Sequence, residues 1–582
     1  MRGFSNSRDI PMATFDLLIR NALIADGTGA DTYFGDLGIS DGRIAAIGES
    51  LSGDARETIN AEGAVLAPGV IDVHTHYDAQ LTWEPTASPS PGLGVTTVVI
   101  GNCGFGIAPA TPESRGTIAR NLSVVEAMAY DTLEAGIDWS FNSFAEYLAL
   151  LERKGVYPNV AAYASHSAIR TVVMGDAGSE REANPDELEQ MVALFRDCMD
   201  AGAFGLGSST FDNHYGWGGI PVPSRLASDD EFRAFAQVIA DYGYGSMMAT
   251  CGNRTTIPFL EELAQISGRP VVYAPLLHYS NQPERAARIA QACADARVRG
   301  NPVYAQASCQ PLSMDFQLTA AYPMLTIDGW PNNEHDVDRL SAVYLDPAFR
   351  DGVRADLKVP NGARIFNGRW DRVEVTITCD SANTDLEGRT IADIAEARGA
   401  DPLDVFLDLG LGEQLQTTFT AKLLNVEEEA VAELLADDGI MVSLSDAGAH
   451  HTFFCDAGFG MHFLGHWVRE RGQFDLPTAV RKLTSDLANI YGIRDRGTLA
   501  VGNWADLILF DPQEIRITKT ERIHDLPADG ARLVRSAPGL LGTWVNGVCV
   551  FDGTDYADVT PPGHILRKFE GGRPRVGMPE NR

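Results

Sequence analysis

Apolar and polar positions alternate in two different rhythms along this chain, and the change falls near residue 67. Before it, the stretches FDLLIRNALIADG, GDLGISDGRIAAIGE and RETINAEGAVLAPG are short β-type runs divided by turn residues. Asp41-Gly42, set between apolar runs at 37–39 and 44–47, predicts a hairpin, because a two-residue turn needs residues that accept positive φ. After Pro68, apolar runs alternate with amphipathic helical stretches, the pattern of parallel βαβ units. The predicted strands are 69–76, 94–103, 159–166, 202–209, 245–251, 270–278, 302–308 and 440–446. Between them, Asn184-Pro185-Asp186-Glu187 and Ser228-Asp229-Asp230-Glu231 read as helix starts with capping boxes, each followed by apolar residues at helical spacing. Residues 475–493 form the last predicted helix, and RGTLAVGNWADLILFD and TWVNGVCVFDG then return to the β rhythm.

Parallel strands with helices between them, in this number, predict an α/β fold: a TIM-type (β/α)8 barrel whose site lies at the strand C-termini. The expected division is residues 1–67 and 496–582 as two halves of one small β domain, with the barrel at 68–495. Two stretches, near 104–157 and 309–439, exceed the minimal unit and are read as insertions on the strand-end face, where lids and substrate walls form. Phe316, Tyr322, Trp330 and Phe366 are expected in the core of the second insertion.

The predicted strand ends carry the candidate chemistry. His74 and His76 close the first strand, and side chains two apart on a strand share a face, so both imidazoles can reach one metal ion. Cys103 follows the second strand, His166 the third, Cys251 the fifth, His278 the sixth and Asp446 the eighth. His450, His451, His462 and His466 gather after Asp446 and read as pocket wall or structure ahead of a second metal site.

Charge and cysteine usage narrow the partners. With 46 basic and 79 acidic residues spread along the chain, the formal charge of −33 disfavours nucleic acid and anionic membrane surfaces. No run approaches the length of a membrane-spanning helix. The eight cysteines, at 103, 198, 251, 293, 309, 379, 455 and 549, have no paired spacing, so a reducing, cytoplasmic setting is expected. A homo-oligomer is left open.

GVIDVHTHYD (69–78), SLSDAGAH (443–450) and RGTLAVGNWADLILFD (496–511) together resemble the amidohydrolase superfamily. The resemblance implies a metal-dependent barrel beside a β-sandwich built from both termini. GNCGFGIAPA (101–110), SHSAIR (165–170) and VNG followed by PPGHILR (561–567) are similar to the N-acyl-D-amino-acid deacylase, or D-aminoacylase, branch. That branch uses a cysteine at the second strand where hydantoinase-like relatives use a carboxylated lysine. Cys103 stands there, and a thiolate is a good zinc ligand.

The likeness implies one or two zinc ions, with His74, His76 and Asp446 around one position and Cys103 with His278 toward another. Two departures stand out. The branch has Thr-His at the fifth strand where this chain has Thr250-Cys251, so that ligand is either replaced by thiolate or lost. The branch's substrate-holding lysine is missing from His278-Tyr279-Ser280, and its His-Pro-Arg from HHTFFCDAG (450–458).

With a zinc-like ion bound, Asp446 is expected to accept the proton of the attacking water and return it to the departing amine. His166 either hydrogen-bonds the substrate carbonyl or caps its strand. The expected activity is hydrolysis of an amide C–N bond in an N-acyl amino acid or related small amide. Alternatives are hydrolysis of a cyclic amide, carbamate or ester, and a metal-free binding or assembly protein.

Overall fold

The computed structural model describes residues 15–567 and 569, apart from 332, 333, 335, 362, 363 and 452–455. The two chain ends are seamed into one sheet. Its order runs Val548–Phe551, Leu540–Val545, Leu507–Phe510, Val65–Pro68, Phe15–Ile24, Tyr33–Ser40 and Arg43–Gly48, with Ala55–Asn60 also paired to Phe15–Ile24. The junction is the antiparallel pairing of Leu507–Phe510 with Val65–Pro68. Leu17, Ile19 and Leu66 from one end pack with Leu507 and Trp544 from the other, so apolar burial holds the seam. The hairpin forms at Asp41-Gly42, where both φ values are positive (52° and 74°).

The parallel strands follow the expected order. They are β1 (Val70–Asp72), β2 (Val95–Ile100), β3 (Asn159–Ala162, continued by Ala164–Ser165), β4 (Gly205–Ser209), β5 (Ser246–Thr250), β6 (Val271–Ala274), β7 (Val303–Ala307) and β8 (Ile440–Val442). Each pairs in parallel with the next, and β7 pairs so with β8 although the long second insertion lies between them in the chain. Beyond their paired segments β8 and β1 are neighbours too. Ser443 Oγ accepts from Val73 N (2.8 Å) and donates to Ile71 O (3.0 Å), and Thr75 bridges Ala447 in parallel. Every strand of this set is buried along its whole length, as strands covered on both faces must be.

The helix Pro185–Asp200 starts with the expected reciprocal capping box between Asn184 and Glu187. At the helix Asp229–Tyr242 only half of the expected box forms. Ser228 Oγ accepts from Glu231 N (3.2 Å), but the Glu231 carboxylate turns inward to His166 and Arg170. After β2 the chain makes three helices, Arg115–Val125, Tyr130–Gly136 and Phe144–Lys154. After β7 it makes a three-stranded antiparallel sheet, Leu312–Phe316, Thr418–Leu424 and Val373–Ile377, with helices around an apolar core of its own. Phe316, Trp330 and Phe366 lie in that core as expected, whereas Tyr322 is 41% exposed because its turn buries Pro323 and Met324 instead. Among the described residues no helix is long and apolar enough to cross a membrane.

Candidate active site

Four side chains from three segments converge past the ends of β1, β2 and β8. His74 Nε2 lies 3.3 Å from Cys103 Sγ and 3.1 Å from Asp446 Oδ1. His76 Nε2 lies 3.9 Å from the same sulfur and 3.4 Å from the same oxygen. Metal-ligating atoms of His74, His76 and Cys103 all fall within 4.8 Å of one another, the separation that ligands of one ion require. Both histidines and the cysteine are buried, while the Asp446 side chain keeps 18% exposure and faces the way in.

Local backbone brings these groups together. Cys103 (φ 55°) and Asp446 (φ 48°) both adopt left-handed conformations, which residues with a Cβ seldom hold unless their surroundings demand it. Gly101 precedes Cys103 at φ 78°, and a Cβ there would meet Tyr163 O at 2.5 Å, so only glycine lets this turn lie against β3. Gly448 plays the same part beside Asp446, where a Cβ would meet the His76 carbonyl carbon at 2.8 Å.

The far nitrogen of each histidine faces an acceptor, which hydrogen-bonds it in the case of His74. His74 Nδ1 is 2.7 Å from Gln306 Oε1, and Gln306 Nε2 donates to Tyr491 OH and Val73 O, which fixes the amide's orientation. Nδ1 therefore carries a proton, and Nε2 is the atom turned to Cys103 and Asp446. His76 Nδ1 makes an ion-pair contact of 3.2 Å with Glu126 Oε1, a carboxylate buried at 2% exposure. Thr250 Oγ1 donates to Cys103 Sγ at 2.9 Å.

The charges follow from this packing. Burial alone would push the Cys103 thiol up, but the His74 charge and hydrogen bonds from both histidines outweigh it and bring it down to about 6. Burial pulls His74 down, yet the Cys103 thiolate and Asp446 carry it up to about 10. Burial pushes the Glu126 carboxyl up to about 8, with His76 opposing.

The other residues expected at the site fall elsewhere. His278 Nδ1 pairs with Glu427 Oε2 at 3.1 Å, and its ring lies outside the His74, His76 and Cys103 group. Cys251 also lies outside that group. Its Sγ turns to the Ala249 carbonyl at 3.3 Å, and burial pushes its thiol well up, so it is an inert core thiol. The neighbouring Thr250, not Cys251, reaches the Cys103 sulfur, so of the two outcomes left open at this position the geometry favours a lost ligand over replacement by thiolate. Of the two roles open to His166 the geometry favours the structural one: it is wholly buried, with Nδ1 on Ser208 Oγ (2.8 Å) and Nε2 on Glu231 Oε1 (2.7 Å), leaving no ring nitrogen for substrate. His450 Nε2 approaches Glu126 Oε2 (3.8 Å), while His462 and His466 stack on each other at 5.0 Å. Cys455 lies outside the described residues.

Sequence reasoning missed Gln306, Glu126 and Thr250. Gln306 carried a signal, since a glutamine inside the fully apolar run VYAQA must find a buried partner. Glu126 and Thr250 carried none.

Beside Asp446 a shallow cleft opens, lined among others by Gln80, Ser88, His451 and Arg532.

The chain belongs to the amidohydrolase family, whose model matches residues 57–551. It is 27% identical over 543 residues to a D-aminoacylase of Alcaligenes xylosoxydans xylosoxydans, covering 92% of this chain and 94% of that one. Its fold is similar to a crystal structure of D-aminoacylase, with TM-score 0.65, 24% identity and coverage of 95% of this chain and 100% of the other. An N-acyl-D-glutamate deacylase from Bordetella bronchiseptica, solved with zinc and a phosphonate inhibitor, is similar at TM-score 0.62 and 23% identity, covering 95% and 100%.

Proposed function

We propose that this chain is a metal-dependent hydrolase that cleaves the amide C–N bond of an N-acyl amino acid or a closely related small amide. The observation that carries the reading is the meeting of His74 Nε2, His76 Nε2, Cys103 Sγ and an Asp446 oxygen in one buried space. Two imidazole lone pairs, a low-pKa thiolate and a carboxylate make a donor set suited to zinc, and one or two such ions are expected. The relatives named as deacylases of D-amino acids supply the substrate class.

Zinc held by these residues would polarise the amide carbonyl and acidify the attacking water. Asp446 takes the proton from that water and delivers it to the amine nitrogen as the C–N bond breaks. Gln306 and Glu126 keep the two imidazoles turned with Nε2 inward, and Thr250 steadies the thiolate. His278 is a candidate for a second metal position only if its ring turns away from Glu427.

We read the ring of parallel strands as a TIM-type (β/α)8 barrel spanning 68–495 and the sheet of both chain ends as a β-sandwich formed by 1–67 and 496–582. Small-molecule amides are the partners proposed, and the free state of every described cysteine supports a reducing, cytoplasmic setting.

The test is to measure metal per chain and hydrolysis of a panel of N-acyl-D- and N-acyl-L-amino acids beside cyclic amides. Asp446→Asn should retain most of its metal and lose turnover by at least about 100-fold. A protein that takes up no metal on reconstitution, or an Asp446→Asn variant of near-normal activity, would overturn the reading.

A further inference from the structure

The loop that leaves β4 carries a histidine, His214, that packs against the segment following Cys103. The end of β4 lies beside that segment: a Cβ on Gly104 would meet Gly207 O at 2.9 Å. Thr210 N donates to Thr250 O at 2.8 Å, so the same strand end is tied to the residue that donates to the Cys103 sulfur. The backbone of His214 is fixed, its carbonyl accepting from Val222 N (3.3 Å) and Arg225 Nη1 (3.0 Å). Its ring stands beside those of Phe105 and Phe211, with 5.0 Å between centroids in each case, and Phe105 is the second residue after Cys103. With the strands read as a closed ring of eight, β4 lies opposite β8, which sets His214 across the mouth from Asp446.

One ring nitrogen is engaged and the other is open. His214 Nδ1 is 2.7 Å from Ser209 Oγ, a wholly buried hydroxyl that already accepts from Phe211 N at 3.2 Å. Among the described residues Nδ1 is the acceptor for the Ser209 O–H, so the ring proton sits on Nε2. Among the described residues nothing bonds Nε2, and the half-buried side chain leaves it within reach of solvent. Burial holds the ring down at about 3, and the charges of His450, Asp446 and His76 all act on it. At neutral pH it is therefore an uncharged N–H donor.

Such a donor suits an oxygen whose charge changes during the reaction. The oxygen of a scissile carbonyl is neutral in the substrate and negative once water has added to the carbon, so a fixed N–H strengthens toward the transition state. A carboxylate carries its charge throughout and is better met by a cation.

We propose that His214 is a catalytic residue whose Nε2–H donates to the oxygen of the scissile carbonyl as water adds, opposite the Asp446 carboxylate that takes the water's proton. This is the role for which His166 has no ring nitrogen left. The proposal rests on the hydrolase reading above and adds a residue to it.

The test compares His214→Phe and His214→Leu, which remove the donor at two sizes, with His214→Gln, which keeps an N–H. Zinc-loaded proteins are measured for kcat and KM on the best substrate of a panel of N-acetyl-D- and N-acetyl-L-amino acids. Titration calorimetry gives their affinity for the N-methylphosphonyl analogue of that substrate, which replaces the planar carbonyl with a tetrahedral anion. The Phe and Leu variants should lose about 100-fold in kcat with KM changed by less than about threefold, and lose phosphonate affinity by a similar factor, at unchanged zinc content. His214→Gln should recover at least about tenfold of both losses, a rescue that a merely structural role would not give. A loss confined to KM, undiminished phosphonate binding in the Phe or Leu variant, or a Gln variant no better than either would overturn the role. A wild type that hydrolyses no member of the panel overturns the hydrolase reading and this role with it, whereas an active wild type matched by its Phe or Leu variant overturns the role alone.

Discussion

Replacing Glu126 with glutamine changes one oxygen for nitrogen in a buried place and removes a carboxyl that, when ionised, sets a negative charge 3.2 Å from His76 Nδ1. At that distance the attraction between unit charges is about 5 kcal/mol if the effective dielectric constant is about 20. Much of this is offset by keeping a carboxylate out of water, a penalty visible in the elevation of the Glu126 carboxyl to about 8. What survives is the preference for positive charge on His76, whether brought by a proton or by a metal ion at Nε2. Carboxylates behind metal-bound histidines typically contribute about 10- to 100-fold to metal affinity, or roughly 1.4 to 2.7 kcal/mol. Glu126→Gln, which keeps an acceptor for Nδ1–H, should fall near the lower figure, and Glu126→Leu, which keeps none, near the upper. The assay is zinc affinity by competition with a chromophoric chelator, with thermal unfolding of the metal-free proteins as the control for folding. If both variants hold zinc as tightly as the wild type, the contact is incidental packing and the inference that Glu126 positions His76 is refuted.

Other outcomes follow from the same geometry. Cys103→Ala should lose most bound metal, whereas Cys251→Ala should keep it and give up only about 1 kcal/mol of stability; metal loss on changing Cys251 would reinstate it as a ligand. His166→Leu strands the Glu231 carboxylate with Arg170 alone and should lower stability by about 1.5–3 kcal/mol without changing metal content, read by denaturant melts and metal analysis. Metal uptake should depend on pH with a definite sign. His74, raised to about 10, is protonated at pH 8 while Cys103, lowered to about 6, is already thiolate, and His76 too is raised well above its ordinary value, so binding at pH 8 should release imidazolium protons, that of His74 among them. As pH falls through about 6 the thiol is protonated as well and apparent affinity should drop more steeply; calorimetry in buffers of differing ionisation enthalpy reads the proton count, and zero release at pH 8 would contradict the assignment.

Much of the strand order was legible because each parallel strand is buried on both faces and therefore appears as an uninterrupted apolar run. The histidine pair was legible for a related reason, since a spacing of two residues at a strand end sends both side chains to one side. The same alternation explains where reasoning from residue type failed. At the end of β5 a cysteine looked like the better metal donor, yet it is Thr250 whose side chain meets Cys103, at 2.9 Å, while the Cys251 sulfur turns back to its own chain. His166 had been left between two roles. Its partner Glu231 looked committed to a helix cap, and only tertiary packing reveals that the carboxylate turns inward to meet the histidine and Arg170.

The groups that orient the site lie beyond the reach of local pattern altogether. Gln306 stands 232 positions from the His74 it holds, and Glu126 sits just past the helix Arg115–Val125 in an insertion whose sequence carries no sign of the site. Ligands must occupy strand ends because only the convergence of parallel strands brings them to one point, so their positions are periodic and readable. Their orienting partners need only supply an acceptor to the outer nitrogen of a ring, and any element passing behind that ring can do so. The insertion after β2 thus does more than wall the strand-end face: through Glu126 it reaches His76 directly. A change that shifts the helix Arg115–Val125 should therefore be felt in metal affinity before it is felt in the packing of the strands, since through Glu126 that insertion touches His76, a proposed ligand.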